Sequence, residues 1–268
     1  MTTVRDLIGT AVMKGWDMYQ LDVNNVFFHG YLHEKVYMQV PQGLIVNRSN
    51  LVCKLNKSLY GKAGKQAVGN SMVFVAVYVD YVILTGTDTE EILSLKRFLD
   101  NTFRIKDLGK LHYFLVMKVL CTTDGVLLTQ RKFAQDLLKE HHYLSCSPMS
   151  SPLDSSIKLR ADDGVMLDDP SHYRKLIGKL NFLTNTRLDI AYSVQHLIQY
   201  MQSPRDTRLK ASTHVLKYLK GNPSLGLFFP STKDYTVKAF CDSDWAACPE
   251  FRRSVSDFVI MLGSTPIN

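Results

Sequence analysis

Residues 72–86 read MVFVAVYVDYVILTG, and no other stretch narrows the possible folds as much. An apolar run over 72–79 is followed by Asp80-Tyr81, then by a second apolar run over 82–84, closed by Thr85-Gly86. β-Branched and aromatic residues dominate both runs, which favours strand over helix. The run is too short for a transmembrane helix and carries a carboxylate in its middle. The pattern predicts a buried β-hairpin with Asp80 at its tip. Two accounts of Asp80 stand side by side. Turns select Asp for backbone reasons, and that is the commoner explanation. A carboxylate held at the mouth of a hairpin by two apolar strands is also a good metal ligand.

A second stretch bears on the choice. Residues 19–30 read YQLDVNNVFFHG, a short strand carrying Asp22, then a pair of Asn and an aromatic pair. If the strand ends bearing Asp22 and Asp80 converge, they suit Mg²⁺, which takes one or two carboxylates plus substrate phosphates rather than a full protein cage. Such a site fits two-metal phosphoryl transfer.

Five segments then fall in one order across nearly the whole chain: QLDVNNVFFHGYLHEKVYMQVPQGL, VCKLNKSLYG, YVDYVILTGTD, KDLGKLHYFL and YRKLIGKLNFLTNTRLDIAYSV. Together they resemble the reverse transcriptase of copia-type (Ty1/copia) LTR retrotransposon Pol polyproteins, followed by the start of a ribonuclease H. The resemblance implies an RNA-directed DNA polymerase that works on an RNA template, a DNA primer and deoxynucleoside triphosphates, with Mg²⁺ or Mn²⁺ as cofactor. It makes Asp22 and Asp80 the catalytic carboxylates and metal ligands, with the Val23 carbonyl close to the metal. Phe27 falls where an aromatic screens the sugar 2′ position, although core packing accounts for an aromatic there equally well. Gly61 and Gln66 fall in the template- and nucleotide-contacting motif that begins Ser58-Leu59-Tyr60-Gly61. Asp242, in FCDSDWA, matches the first carboxylate of the ribonuclease H site.

The chain departs from the family pattern in ways that imply a catalytically impaired copy. Tyr78-Val79-Asp80-Tyr81 stands where the family has Tyr-Val-Asp-Asp. Only residues 68–71 separate the Gly61–Gln66 motif from the hairpin, which implies an internal deletion or a mis-spliced gene model. Lys62–Ala67 replaces the usual continuation of that motif, and Lys65-Gln66 also breaks a phosphate-loop pattern. Within 111–120, which resembles the primer grip, Val116 replaces a glycine and Lys118 an acid. The basic fingers segment that precedes this point in the family is missing, and so are the later acids of the ribonuclease H site; ribonuclease H activity is not expected of this chain alone. The competing expectations are a non-catalytic nucleic-acid-binding remnant and a pseudogene without a folded product.

Composition adds little. A net charge of +7 and a pI of about 9.1 favour a polyanionic partner only weakly. The five cysteines form no CxxC pair, and residues 1–16 lack the pattern of a signal peptide. Reduced thiols in an intracellular protein, cytoplasmic or nuclear and not secreted, are expected, with no membrane partner.

Periodicity predicts helices over 3–14, 88–101, 131–140, 173–185, 190–202 and 208–220. Strands are predicted over 34–39, 51–55, 103–105, 111–120, 125–130, 225–229 and 236–240. In the 88–101 helix, Ile92, Leu95 and Leu99 face inward, while Glu90, Glu91, Lys96 and Arg97 face solvent. The Ser-, Pro- and Asp-rich stretch 145–169 reads as a flexible linker. Arg174, Lys175, Lys179, Lys210, Lys217 and Lys220 are candidate phosphate contacts, with solvated helix faces the commoner account. The expected fold class is α+β: a reverse-transcriptase palm-like antiparallel sheet with helices, a helical connection and a truncated ribonuclease H-like stub. The domains are 1–144 (partial reverse transcriptase), 145–169 (linker), 170–223 (connection) and 224–268 (ribonuclease H start).

Overall fold

The structure is a computed structural model that describes residues 2–23, 31–39, 52–57, 66–68, 71–78, 81–154, 160, 162–245 and 254–267. It is mixed α and β, and all its paired strands are antiparallel. Two compact units emerge, one of residues 15–111 and one of residues 1–14 with 112–268.

The first unit is built on β1 (Met18–Val23), β2 (Tyr31–Gln39), β3 (Val52–Lys57), β4 (Gln66–Val68), β5 (Ser71–Tyr78), β6 (Tyr81–Gly86) and β7 (Ile105–Lys110). Its main sheet has the order β4-β5-β6-β1-β7, and β2 pairs with β3 separately. One helix, α2 (Thr89–Phe103), covers one face. Asp88 starts it by accepting hydrogen bonds from the Glu90 and Glu91 amides, satisfying donors that a helix start leaves open. Ile92 packs on Leu21, Val82 and Leu84, and Leu95, Leu99 and Phe103 extend the contact. On the opposite face Trp16 stacks on Phe74, with centroids 5.5 Å apart.

The hairpin predicted from 72–86 forms, with Tyr78 opposite Tyr81. Its burial is uneven, however. β6 is buried from Val82 to Gly86, whereas β5 is half-exposed and both Val77 and Tyr78 are exposed. The reason is position: β6 lies between two full strands, while β5 is flanked outward only by the three residues of β4. Lys96 is buried, because its ammonium bonds Asp107 at 2.9 Å and lies 3.9 Å from the Tyr19 ring centroid. Phe103 closes α2 and is no strand residue, and the following strand runs on to Lys110.

The second unit contains α1 (Thr2–Lys14), β8 (Tyr113–Phe114), β9 (Met117–Cys121), β10 (Gly125–Thr129), α3 (Arg131–Glu140), α4 (Ser171–Leu183), α5 (Ala191–Ile198), α6 (Asp206–Gly221), β11 (Leu227–Pro230), β12 (Val237–Asp244), β13 (Val255–Leu262) and β14 (Thr265–Pro266). Helices α3 to α6 share one core, in which Leu137, Tyr173, Ile177, Leu180, Val194, Leu197, Val215 and Leu219 are buried. One sheet runs β11-β10-β9-β8, another β12-β13-β14. Gly9 lets α1 approach the first: a Cβ there would lie 3.3 Å from the Phe229 ring. Arg5 is buried in α1, donating to the Asn185 carbonyl at 2.7 Å, while Leu7 and Val12 are only half-buried.

The predicted strand 111–120 is a hairpin, β8 turning into β9 at Leu115-Val116. The predicted helix 190–202 is a 3-10 turn over Leu188–Ile190 that leads into the shorter α5. Within 145–169, the Met149 and Leu167 amides donate to the Lys217 and Pro204 carbonyls, and the Val165 amide donates to the Asp206 carboxylate.

Candidate functional site

Strand β1 ends at Asp22-Val23, and its register decides what surrounds the first predicted carboxylate. Asp22 is the cross-strand partner of Tyr81 in β6 on one side and of Lys106 in β7 on the other. Directly opposed residues share a sheet face, and successive residues alternate. Leu21 and Val82 pack toward α2, so Asp22, Tyr81 and Lys106 line up on the opposite face. Behind this row the same face is closed by buried Gln20, Ile83 and Thr85, the last donating to the Asp17 carbonyl at 2.9 Å. Asp22 and Tyr81 are half-buried and Lys106 is exposed. The face is therefore sealed up to Gln20 and opens at Asp22.

Asp80 lies outside the described residues, as do Phe27 and Gly61. Its sequence neighbour Tyr81 is the residue opposed to Asp22, so the two stretches singled out in the sequence are brought onto adjacent strands. Val23 completes β1 opposite Ile105. Gln66 opens the edge strand β4, opposite Val73. Val68 pairs with Ser71, so a two-residue link carries the chain from β4 straight into β5 at the place where a deletion is inferred. Lys106 is the neighbour that sequence reasoning missed. Only the register reveals it.

Asp242 sits in the other unit, exposed on β12 and directly opposite Asp257 on β13. Its Oδ1 accepts the Ser243 amide at 2.9 Å. Among the described residues no group of three or more His, Cys, Asp or Glu is placed to hold a metal ion. Of the basic residues on the helices, Lys179 bonds Glu140, Lys210 bonds Asp206, Arg174 bonds the Met201 and Gln202 carbonyls, and Lys220 bonds the Cys146 carbonyl. These four make internal contacts that a phosphate would have to displace. No helix among the described residues is long and apolar enough to cross a membrane.

Sequence missed a buried ion pair altogether. Arg187, 2% exposed, forks onto Asp189 at 2.7–2.9 Å and donates to the Asn222 carbonyl. Burial raises the Asp189 carboxyl, and the Arg187 hydrogen bonds and charge outweigh that, leaving it below its ordinary value. Asp107 follows the same pattern, with burial opposed by hydrogen bonds from Lys96 and Gly109 and a net lowering.

The chain was compared with known proteins. A family profile described as Reverse transcriptase (RNA-dependent DNA polymerase) matches residues 1–68 and 64–155. The retrovirus-related Pol polyprotein from transposon RE1 of Arabidopsis thaliana is 35% identical over 298 aligned positions, covering all of this chain and 20% of that protein. The corresponding Pol polyprotein from transposon TNT 1-94 of Nicotiana tabacum is 28% identical over 309 positions, again across the whole chain and 23% of its own length. An uncharacterized mitochondrial protein of Arabidopsis thaliana is 38% identical over 197 positions, 73% of this chain and 81% of that protein. The chain thus spans about a fifth of the length of the Pol polyproteins it matches. No solved structure matches. The chain belongs to the reverse transcriptase (RNA-dependent DNA polymerase) family and corresponds to the reverse transcriptase region of copia-type retrotransposon Pol polyproteins.

Proposed function

We propose that residues 15–111 are the palm of an RNA-directed DNA polymerase in which Asp22 and Asp80 are the catalytic carboxylates, and that this copy is severely impaired. One observation carries the reading: Tyr81 is opposed to Asp22 across β1 and β6. The donor set fits a divalent cation, since a pair of carboxylates leaves room for substrate phosphates. Asp22 and Asp80 would hold Mg²⁺ or Mn²⁺, which activates the primer 3′-hydroxyl and stabilises the leaving pyrophosphate. The protein's own part is positioning. Strand β1, fixed by β6 and β7, holds Asp22 at the open end of a sealed face, with the Val23 carbonyl next to it. The exposed Lys106 ammonium is placed to attract nucleotide phosphates. Phe27 would screen the sugar, and Gly61 and Gln66 would contact template and nucleotide.

Two features support impairment. Tyr81 supplies a neutral phenol where the family has a second carboxylate. The direct β4–β5 connection leaves no room for the palm segment that family members carry there. That gap agrees with a family profile matched in two pieces meeting at 64–68, and with alignments longer than the 268 residues of the chain. We read the remainder as a helical connection over 170–223, joined by the segment 145–169, and a ribonuclease H-like start over 224–268 that carries Asp242. An intracellular setting with RNA template, DNA primer and deoxynucleoside triphosphates as partners goes with this reading. A second reading is favoured by the same Tyr81: a non-catalytic remnant that binds nucleic acid through its net +7 charge, with strong salt dependence.

Primer extension on an RNA template, with Mg²⁺ and then Mn²⁺, tests both readings on the native chain and on Tyr81→Asp. Activity only in the variant assigns the lesion to Tyr81. Activity in the native chain overturns the impairment. Silence in both, with salt-dependent binding retained, selects the binding remnant.

A further inference from the structure

Arg208, in the first turn of α6, is 1% exposed. A guanidinium stays charged, and a charge taken out of water needs a counter-charge and acceptors for its N–H groups. One nitrogen has acceptors: Nη1 donates to the Asp163 carbonyl at 3.3 Å and to Thr207 Oγ1 at 2.7 Å. Nε and Nη2 are buried as well, and among the described residues they bond no acceptor. The Tyr200 ring, its centroid 4.4 Å away, offsets part of the charge but accepts neither N–H edge-on. The neighbouring carboxylates are engaged elsewhere. Asp163 Oδ2 accepts the Arg160 amide, and Asp206 accepts the Val165 amide and the Lys210 ammonium. Tyr173 is no counter-charge, since its hydroxyl donates to the Leu197 carbonyl and burial holds the phenol above its ordinary value, hence neutral. His196 registers the cation: burial first, then the Arg208 charge, holds its imidazole below the ordinary value. All these groups lie within residues 160–210.

We propose that the Nε and Nη2 edge of Arg208 is a binding site for a small inorganic anion of chloride size. These two N–H groups form the fork with which a guanidinium takes an anion at two points. Enclosure sets the size limit: donors this buried admit a single ion and exclude the phosphate of a nucleotide or a nucleic acid. The way in is the segment 163–167, which is held on α6 by the bonds from Thr207 and Arg208 to Asp163 and between Val165 and Asp206. Val165 and Met166 are exposed, so a local opening of this segment uncovers the fork without unpacking the helices. The ion then balances Arg208 from one edge while the Asp163 carbonyl and Thr207 hold the other, which ties the segment more firmly to α6.

The test uses chloride as the probe on the full chain, read by chlorine-35 NMR line broadening and by thermal melts. In the melts chloride replaces the bulky anion gluconate at constant ionic strength, so that screening of the net +7 charge does not change. The native chain is compared with Arg208→Met, Arg208→Lys and Lys132→Met, the last removing an exposed cation on α3. The native chain should broaden the chloride line saturably. Its melting temperature should rise by roughly 3–5 °C at ten times the dissociation constant. Lys132→Met should behave like the native chain. Arg208→Met should lose both effects with its circular dichroism unchanged. Arg208→Lys keeps a charge and a stem without the fork, and should bind roughly tenfold more weakly. A native chain that leaves the chloride line and the melting temperature unmoved overturns the proposal. So do effects that persist in Arg208→Met, or that Lys132→Met abolishes, since either makes them a property of the basic surface.

Discussion

Replacing Val116 by glycine should stabilise the protein, and the structure sets the size of the effect. Phe114 pairs with Met117, which leaves Leu115-Val116 as a two-residue turn with φ of 47° and 64°. Both central residues are thus left-handed, the pattern of a type I′ hairpin turn, for which Asn-Gly is the preferred sequence. An L-residue there costs roughly 1–2 kcal/mol, with a β-branched one toward the upper end. The buried flanks Phe114 and Met117 hold the turn in that geometry despite its cost. Val116 is 38% exposed, so deleting its side chain loses little burial. Glycine also gains freedom in the unfolded chain, offsetting about 0.4–1 kcal/mol. The net gain is about 1 kcal/mol, a rise in melting temperature of roughly 2–4 °C for a chain of this size. Urea denaturation of the native chain, Val116→Gly and Val116→Ala measures it. Alanine keeps the left-handed cost and should recover less than half of the gain. A destabilised Val116→Gly, or an alanine variant equal to it, would show that the turn is not strained as argued.

Other perturbations follow from named contacts. Lys96→Ala should cost about 1–2 kcal/mol in urea denaturation and Lys96→Met under about 1, because the stem packs while the Asp107 partner is half-exposed and returns to water; equal, negligible losses would put Lys96 back on the surface. The Asp189 carboxyl lies below its ordinary value in the folded state, so its contribution is present above about pH 4 and is lost as pH falls through the folded value. Asp189→Asn should cost about 3 kcal/mol at neutral pH by stranding buried Arg187, and should flatten that acid limb in a pH series of melting curves. Gly86→Ala would place a Cβ 2.2 Å from the Met72 carbonyl oxygen and should cost more than about 2 kcal/mol, read as a lowered urea midpoint.

How much of this was legible beforehand depended on whether the deciding partner lay nearby. Helix α3 is expected over 131–140 and forms there, because its apolar spacing is a local property. The hairpin of β5 and β6 is equally local. Lys96 looked like surface because helical spacing put it beside Arg97 on a charged face. Its burial follows from Asp107 and Tyr19, which no periodicity connects to it. Arg208 is similar: it is 1% exposed, 4.4 Å from the Tyr200 ring centroid, and bonded to the Asp163 carbonyl in a stretch that composition marks as a loop. In the candidate site, residue types pointed to Asp22, while its neighbours depended on a strand register that sequence does not fix.

That register changes the weight of the single substitution at position 81. Across β6, β1 and β7 the open row reads Tyr81, Asp22, Lys106, one carboxylate flanked by a neutral phenol and a cation. Its formal charge is zero. With aspartate at 81 the row would carry one net negative charge, and Lys106 would still lie beside the phosphates that a nucleotide brings. If Asp22 binds a divalent cation as proposed, the cation meets a carboxylate already balanced by Lys106 in the row. Near a protein surface two unit charges a few ångströms apart interact by several kcal/mol at an effective dielectric of about 20. On the proposed reading, one carboxylate fewer in such a row should weaken cation binding by orders of magnitude while leaving the sheet intact, since Tyr81 is a good strand residue and pairs with Asp22 and Tyr78. The same reasoning separates folding from catalysis in this chain. On the reading proposed above, Tyr81 is a residue the β-sheet accepts without cost, so an intact sheet and loss of polymerase activity are compatible.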